Sequence, residues 1–203
     1  MNGSQPIRAT VNVRSDPERT FELFTAQMGK WWPLESYSRA VNEFEHEDVG
    51  VSELMFEARM GGMILERMTD GRVLPWAEVL AWQPPQRVVL SWRPHSMPEP
   101  PTELEVTFVA RKDGTLIEVE HRGWERLSQE FRAGLYELYE RGWPFTLECL
   151  APGLRTTSHT LRTLPSPPVI GPAPPPPPDL PQAATRRGGF AGMASAVPCP
   201  PAH

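Results

Sequence analysis

His121 is the first candidate for chemistry, because an imidazole changes its charge near neutral pH. It ends the last predicted strand and shares one face of that strand with the apolar Ile117 and Val119. At the mouth of a cavity, such a side chain serves as an acid, a base or a hydrogen-bond donor that orients a bound molecule. The alternative is a structural histidine that is hydrogen-bonded where its strand ends.

Glu66 is the second candidate, because it alternates with Ile64 and Met68 along a predicted strand. If that face points inward, Glu66 is a cavity carboxylate and a candidate general acid or base. If it points outward, Glu66 is a solvated sheet residue, as most glutamates are. Glu78 poses the same question on the next strand. It shares a face with Trp76, Leu80 and Trp82, and the opposite face is also apolar.

Seven tryptophans are many for a chain of 203 residues. One interpretation is an aromatic-lined pocket for a flat or lipophilic ligand. The other is packing in the core and at its rim. The seven are Trp31, Trp32, Trp76, Trp82, Trp92, Trp124 and Trp143.

The sequence lacks the signatures of several enzyme classes, namely GxSxG, the P-loop, HExxH and the Rossmann glycine pattern. Its two cysteines, Cys149 and Cys199, have no CxxC spacing and predict neither a disulfide framework nor a zinc site. We therefore expect no metal and no cofactor.

The formal net charge of −5 predicts no nucleic-acid partner. The longest apolar runs are only a few residues long, so no insertion into a membrane is expected. No secretory signal precedes the first predicted strand, and a cytoplasmic protein is the expectation.

Proline marks where the folded part is expected to end. Of 25 prolines, 13 follow Leu164, including the run at residues 174–178. The large apolar side chains are too sparse there to offset the entropy of ordering the segment. We predict a domain over residues 1–160 and a proline-rich disordered tail over 161–203. The alternative is that the tail is a polyproline ligand for an aromatic groove on a protein partner.

Alternating apolar and polar residues predict seven strands, and the last six are joined by hairpin-like connections. Gly61-Gly62, Asp70-Gly71 and Asp113-Gly114 are the turn signals. Because the connections are short, neighbouring strands must pair antiparallel. The predicted strands cover residues 7–14, 53–59, 63–68, 73–82, 87–93, 103–111 and 115–122.

Two helices flank these six strands. The first begins with Ser15 or Asp16 as its cap, and its apolar stripe runs Phe21, Phe24, Met28, Trp31. Residues 34–50 carry no clear period. The last helix starts near Ser128, and Gly142 and Pro144 predict a break or kink partway along it. An antiparallel sheet must cover its apolar face, and this helix is the available cover.

Several short motifs of turn and aromatic residues occur in a characteristic order along the chain. They are Phe24, Trp31-Trp32-Pro33, Phe56 to Arg59, Gly61-Gly62, Glu66-Arg67, Asp70-Gly71, Trp76 to Trp82, Pro84 to Arg87, Leu90 to Trp92, Glu118 to Trp124 and Gly142-Trp143. Together they resemble the START-like (SRPBCC) superfamily, and more narrowly the C-terminal domain of activators of the Hsp90 ATPase, over about residues 7–155. The resemblance implies an α+β helix-grip fold, with a seven-stranded antiparallel sheet around a long C-terminal helix.

Relatives in this superfamily include carriers of hydrophobic ligands, aromatic polyketide cyclases and a chaperone regulator, so three hypotheses follow. The first is a non-catalytic domain that holds a hydrophobic or aromatic small molecule. The second is a cyclase- or dehydratase-like enzyme with Glu66 and His121 as its proton-transfer pair. The third is a chaperone-associated protein that binds a partner through the outer sheet surface or the tail. The candidate ligand-binding residues are Phe56, Trp92, Phe108, Val119, His121, Trp143 and Leu147.

Overall fold

Seven antiparallel strands form one sheet in the order β1-β7-β6-β5-β4-β3-β2. The computed structural model describes residues 5–44, 47–93, 95 and 98–150. The predicted α+β class and the antiparallel pairing are both confirmed. The strands are β1 (Ile7–Val13), β2 (Val51–Phe56), β3 (Met63–Met68), β4 (Val73–Gln83), β5 (Arg87–Trp92), β6 (Thr102–Arg111) and β7 (Gly114–Arg122).

Of the two predicted caps, Ser15 and Asp16, it is Asp16 that caps the first helix, α1 (Pro17–Phe24). The Asp16 carboxylate accepts a hydrogen bond from the Arg19 backbone N–H at 2.8 Å, and Pro17 occupies the first helical turn. The helix ends earlier than its apolar stripe suggests. The stripe continues into a short 3-10 turn at Met28–Lys30.

A second short helix, α2 (Arg39–Glu43), lies in the segment for which no period was found. Ser38 caps it, because its hydroxyl accepts from the Val41 N–H at 3.2 Å. The last helix, α3 (Gln129–Leu150), runs through Pro144 without the predicted break. The Thr146 hydroxyl donates to the Gly142 carbonyl at 2.9 Å, beside the position where proline provides no N–H.

Two bulges in β4 overturn the strict alternation expected for that strand. Ile64 pairs with Ala77 but Leu65 pairs with Pro75, so Trp76 is an extra residue. The register shifts again between Val79 and Ala81, so Leu80 is a second extra residue.

Because of these two bulges, Trp76 is buried while Glu78 and Leu80 are exposed. The expected shared face of Glu78, Trp76, Leu80 and Trp82 was wrong.

Ion pairs connect neighbouring strands on the outer face of the sheet. Arg122 on β7 pairs with Glu103 and Glu105 on β6 and with Glu120 on its own strand. Arg8 on β1 reaches the same Glu120 at 2.8 Å. The outer face of the sheet thus carries a network of ion pairs, and the inner face packs in the hydrophobic core.

The C-terminal end of α3 corrects one expectation and leaves another untested. Cys149 is buried and disulfide-bonded, whereas the sequence predicted no disulfide. Cys199 and the tail predicted over residues 161–203 lie outside the described residues, so the domain boundary near residue 160 stays a prediction. In the described part of the chain, no helix combines the length and apolar character needed to cross a membrane.

Candidate functional site

Four buried indoles form the centre of the inner face. Trp32, from the segment after α1, lies 5.5 Å from Trp76, 5.8 Å from Trp92 and 6.1 Å from Trp143, measured between ring centroids. Trp92 also contacts Trp143 at 5.8 Å. Because these rings come from β4, β5, α3 and the segment after α1, the indole cluster joins the sheet to both flanking helical regions. Its edge-to-face and tilted geometries are those that aromatic rings prefer.

Nearly all the indole N–H groups are satisfied inside the protein. Since an indole N–H only donates, each needs an acceptor when buried. Six have one, and in the described part of the chain the half-buried Trp82 is the exception. The six acceptors are the carbonyl oxygens of Leu23, Tyr37 and His121, the Glu66 carboxylate, the Tyr139 hydroxyl and the His121 ring.

The hydrogen bonds of His121 fix its tautomer. The Trp143 N–H donates to Nδ1 of His121 at 3.1 Å, so Nδ1 carries no proton. Nε2 is therefore the protonated nitrogen, and it donates to the Thr102 hydroxyl at 2.7 Å. The Thr102 hydroxyl in turn donates to the Trp92 carbonyl at 3.1 Å. His121 is a neutral link in a chain of donors that crosses from α3 to β5.

Burial supports the same conclusion for His121. Its side chain is fully buried, and removal from water lowers the pKa of the imidazole to about 3. The ring packs against Trp124 at 4.2 Å and Tyr139 at 4.7 Å. Burial also raises the pKa of the Tyr139 phenol. His121 lies in the interior rather than at a cavity mouth, and it is uncharged at neutral pH.

Glu66 is also buried, on the inward side with Ile64 and Met68. Its carboxylate accepts from the backbone N–H groups of Arg39 at 2.9 Å and Ala40 at 3.1 Å. It also accepts from the Trp76 indole at 2.8 Å. These two amides open α2, so the carboxylate fixes the start of that helix to the sheet.

The two ionisable candidates are not brought together as a proton-transfer pair. Glu66 bonds the Trp76 indole, while His121 bonds the Trp143 indole at the far side of the cluster. Trp92 lies between those two indoles, 6.1 Å from Trp76 and 5.8 Å from Trp143. Glu66 lies on β3 and His121 on β7, and β4, β5 and β6 lie between those two strands in the sheet.

Most of the predicted ligand-binding residues lie deep in the core. Trp92, Phe108, Val119, Trp143 and Leu147 are all buried, with at most 3% of their surface exposed. The first three come from the sheet and the last two from α3, and all five belong to one hydrophobic core. Whether they bind a ligand stays a prediction.

Phe56 is the predicted wall residue that remains half-buried. Its ring lies 6.1 Å from Trp82, which in turn lies 4.9 Å from Phe21. Sequence reasoning did not place Trp82 at the site, because the bulge at Leu80 reverses its side of the strand. It also missed Thr102, although Thr102 alternates with the apolar Leu104.

The donor set does not resemble a metal centre. Within residues 5–44, 47–93, 95 and 98–150, no three His, Cys, Asp or Glu side chains are grouped so that they could hold an ion. The polar side-chain atoms bonded within the indole cluster are those of Glu66, His121, Thr102, Tyr139 and the indoles.

Comparison with known families identifies the chain. The family described as "Activator of Hsp90 ATPase homolog 1-like protein" matches residues 14–152. The chain belongs to this family. The match spans the described elements from α1 to α3, and it confirms the resemblance found in the sequence. No curated protein sequence matches the chain.

Solved structures agree with the fold that this family implies. Protein Ms6760 from Mycobacterium smegmatis is 16% identical, with a TM-score of 0.52 over 77% of this chain and 94% of that chain. Protein CV1439 from Chromobacterium violaceum is 18% identical, with a TM-score of 0.51 over 75% and 99%. Protein NE0264 from Nitrosomonas europaea is 15% identical, with a TM-score of 0.50 over 74% and 94%. At these identities the likeness concerns the fold alone.

Proposed function

We propose that this member of the family binds a small lipophilic or aromatic molecule on the inner side of its sheet and does not transform it. The observation that supports this is the aromatic inner face, where an unbroken series of ring contacts joins the buried indole cluster to the half-buried Trp82 and Phe56. Flat and lipophilic molecules are the class that such a surface recognises, since ring contacts and area burial need no charge.

The energetic basis is the removal of apolar surface from water. A ligand that buries ~300 Å² of apolar surface gains about 7.5 kcal/mol at roughly 25 cal/mol per Å². Ring-to-ring contacts with indoles add to this, while lost rotational and translational freedom opposes it. We expect dissociation constants of about 1 to 100 μM for simple aromatic probes.

The absence of catalysis is proposed from the state of the two candidate groups. A general acid or base must exchange a proton with its substrate near working pH. His121 has a pKa of about 3 and both ring nitrogens are already hydrogen-bonded. Both oxygens of Glu66 accept bonds from α2, and one also accepts from Trp76. We therefore infer that Glu66 and His121 stabilise the inner face and do not exchange protons with a bound ligand.

Two measurements on the full chain test the proposal. Extraction of the purified protein with organic solvent, followed by mass spectrometry, should release a lipophilic compound absent from a matched blank. Titration with N-phenyl-1-naphthylamine should give saturable fluorescence and one site per chain. An Arg8→Gln control on the outer face should bind the dye as the wild type does. A protein that yields no compound and binds no dye at 100 μM would contradict the proposal.

A further inference from the structure

Two aromatic rings of the inner face keep part of their surface exposed while the indole cluster is closed. They are Phe56 and Trp82, whose ring centroids lie 6.1 Å apart with 47° between the ring planes. The buried Phe21 packs edge to face against Trp82, with 4.9 Å between ring centroids, and in the same way against Phe108 at 5.1 Å. The Phe56–Trp82 pair is thus a fixed aromatic surface backed by the core.

The local fold explains why these two rings lie on the same side. Phe56 pairs with Ile64, which is fully buried on the inner face. The bulge at Leu80 moves Trp82 to the position opposite Val88, another fully buried inner residue. Without that extra residue, strict alternation would place Trp82 with the solvent-facing side chains.

Trp82 also differs from the other tryptophans in its hydrogen bonding. The other six indole N–H groups donate to acceptors within the protein, over distances of 2.8 to 3.1 Å. Among the described residues, none accepts from the Trp82 N–H. An indole N–H can only donate, so the group that complements it is an acceptor oxygen.

We propose that the Phe56–Trp82 pair is the ligand site, and that it selects a flat aromatic molecule bearing an acceptor oxygen. The ligand's ring lies against the two side chains, and its oxygen accepts from the Trp82 N–H. This inference rests on the proposed function and sharpens it, because it names both the place and the chemical class. A ketone, an ether or a phenolic oxygen satisfies the requirement, whereas a bare hydrocarbon does not.

Fluorene and 9-fluorenone test the class, because they share a three-ring frame and differ by one carbonyl oxygen. Equilibrium dialysis against the full-length wild type should give about three- to tenfold tighter binding of 9-fluorenone, as expected for one neutral hydrogen bond. Trp82→Phe should abolish that preference. Phe56→Ala should weaken both compounds by a similar factor. Leu80→Ala, an exposed position beside the bulge, should leave both affinities unchanged.

The binding results distinguish failure of this inference from failure of the proposed function. If the preference for 9-fluorenone survives in Trp82→Phe, or is absent from the wild type, the inference fails. If N-phenyl-1-naphthylamine binds the Trp82→Phe and Phe56→Ala variants as it binds the wild type, a lipophilic site exists elsewhere and only the inference fails. If no probe binds the wild type, the proposed function fails as well.

A second measurement needs no variant. The indole N–H resonance of Trp82 in the wild type should move downfield on saturation with 9-fluorenone and less with fluorene. An unmoved Trp82 resonance at saturation would overturn the inference even if every substituted protein failed to fold.

Discussion

The indole N–H of Trp143 donates to Nδ1 of His121 across 3.1 Å, and this bond joins α3 to the end of β7. It forces the ring proton onto Nε2, which then bonds Thr102 on β6. The last helix is therefore held to the sheet by a directed polar contact as well as by apolar packing. A buried polar link of this kind stabilises the fold only while every member keeps its partner.

The neutral state of His121 predicts loss of stability in mild acid. The folded pKa of about 3 lies below the ordinary value of 6.5, so the unfolded chain binds the proton first. The stabilisation is complete above pH 6.5 and is lost as the pH falls towards 3. We expect a loss of about 2 kcal/mol in unfolding free energy between pH 7 and pH 5, measured by urea denaturation. His121→Gln should lack this loss, and an equal loss in that variant would refute the assignment.

Trp143→Phe should destabilise the protein by about 1 to 3 kcal/mol, because it leaves Nδ1 of His121 buried without a donor. The matched control is Trp82→Phe, which removes the same atoms where the N–H has no acceptor among the described residues. Urea denaturation of the two variants should therefore differ by about 1 kcal/mol or more. Equal destabilisation would show that the hydrogen bond to His121 contributes nothing.

Glu66→Gln should destabilise the protein by about 2 to 3 kcal/mol, since the amide nitrogen cannot accept from α2 or from Trp76. Hydrogen exchange at the Arg39 and Ala40 amides should accelerate more than exchange in β6. Glu78→Gln is the same chemical change at an exposed position on the adjacent strand, and it should stay within about 0.5 kcal/mol of the wild type. If the Arg39 and Ala40 amides kept their protection, Glu66 would not be the anchor of α2.

Arg122→Gln should lower the free energy of unfolding more at low salt than at high salt, because Arg122 contacts three carboxylates on the outer face. We expect about 1 kcal/mol at 20 mM salt and about half of that at 1 M, where exposed charges are screened. Arg67→Gln removes a single ion pair with Glu53 and should change the unfolding free energy by less than about 0.5 kcal/mol. A salt-independent loss at Arg122 would indicate packing rather than charge.

The strands were predictable because their signals are local. Alternation within β6 and β7, together with Asp113-Gly114 between them, needs no knowledge of the rest of the chain. The helix α2 was not predictable in this way. It is five residues long, and its first amides are bonded by Glu66, which lies 26 and 27 positions further along the chain.

The sequence predicted which side of β7 the candidate residues occupy, but it did not predict which side chains contact each other. The alternation of side chains along β7 correctly placed His121 on the same face as Val119, and the burial of both residues confirms that this face is the inner one. The same rule failed on β4, because each bulge reverses the side on which later residues lie. The pairing of His121 with Trp143, and the separation of His121 from Glu66, depend on how α3 packs against the sheet, and no local pattern encodes that.

The central claim is that a lipophilic ligand lies on the inner side of the sheet, and intermolecular NOEs test it most directly. With N-phenyl-1-naphthylamine bound to the isotope-labelled full chain, dye protons should show NOEs to the inner-face methyl groups of Val119 or Leu147 or to the Phe56 ring. The exposed methyl groups of Val73 and Leu80 provide the comparison. NOEs to inner-face groups alone are the predicted result, and NOEs to Val73 and Leu80 alone would contradict the account.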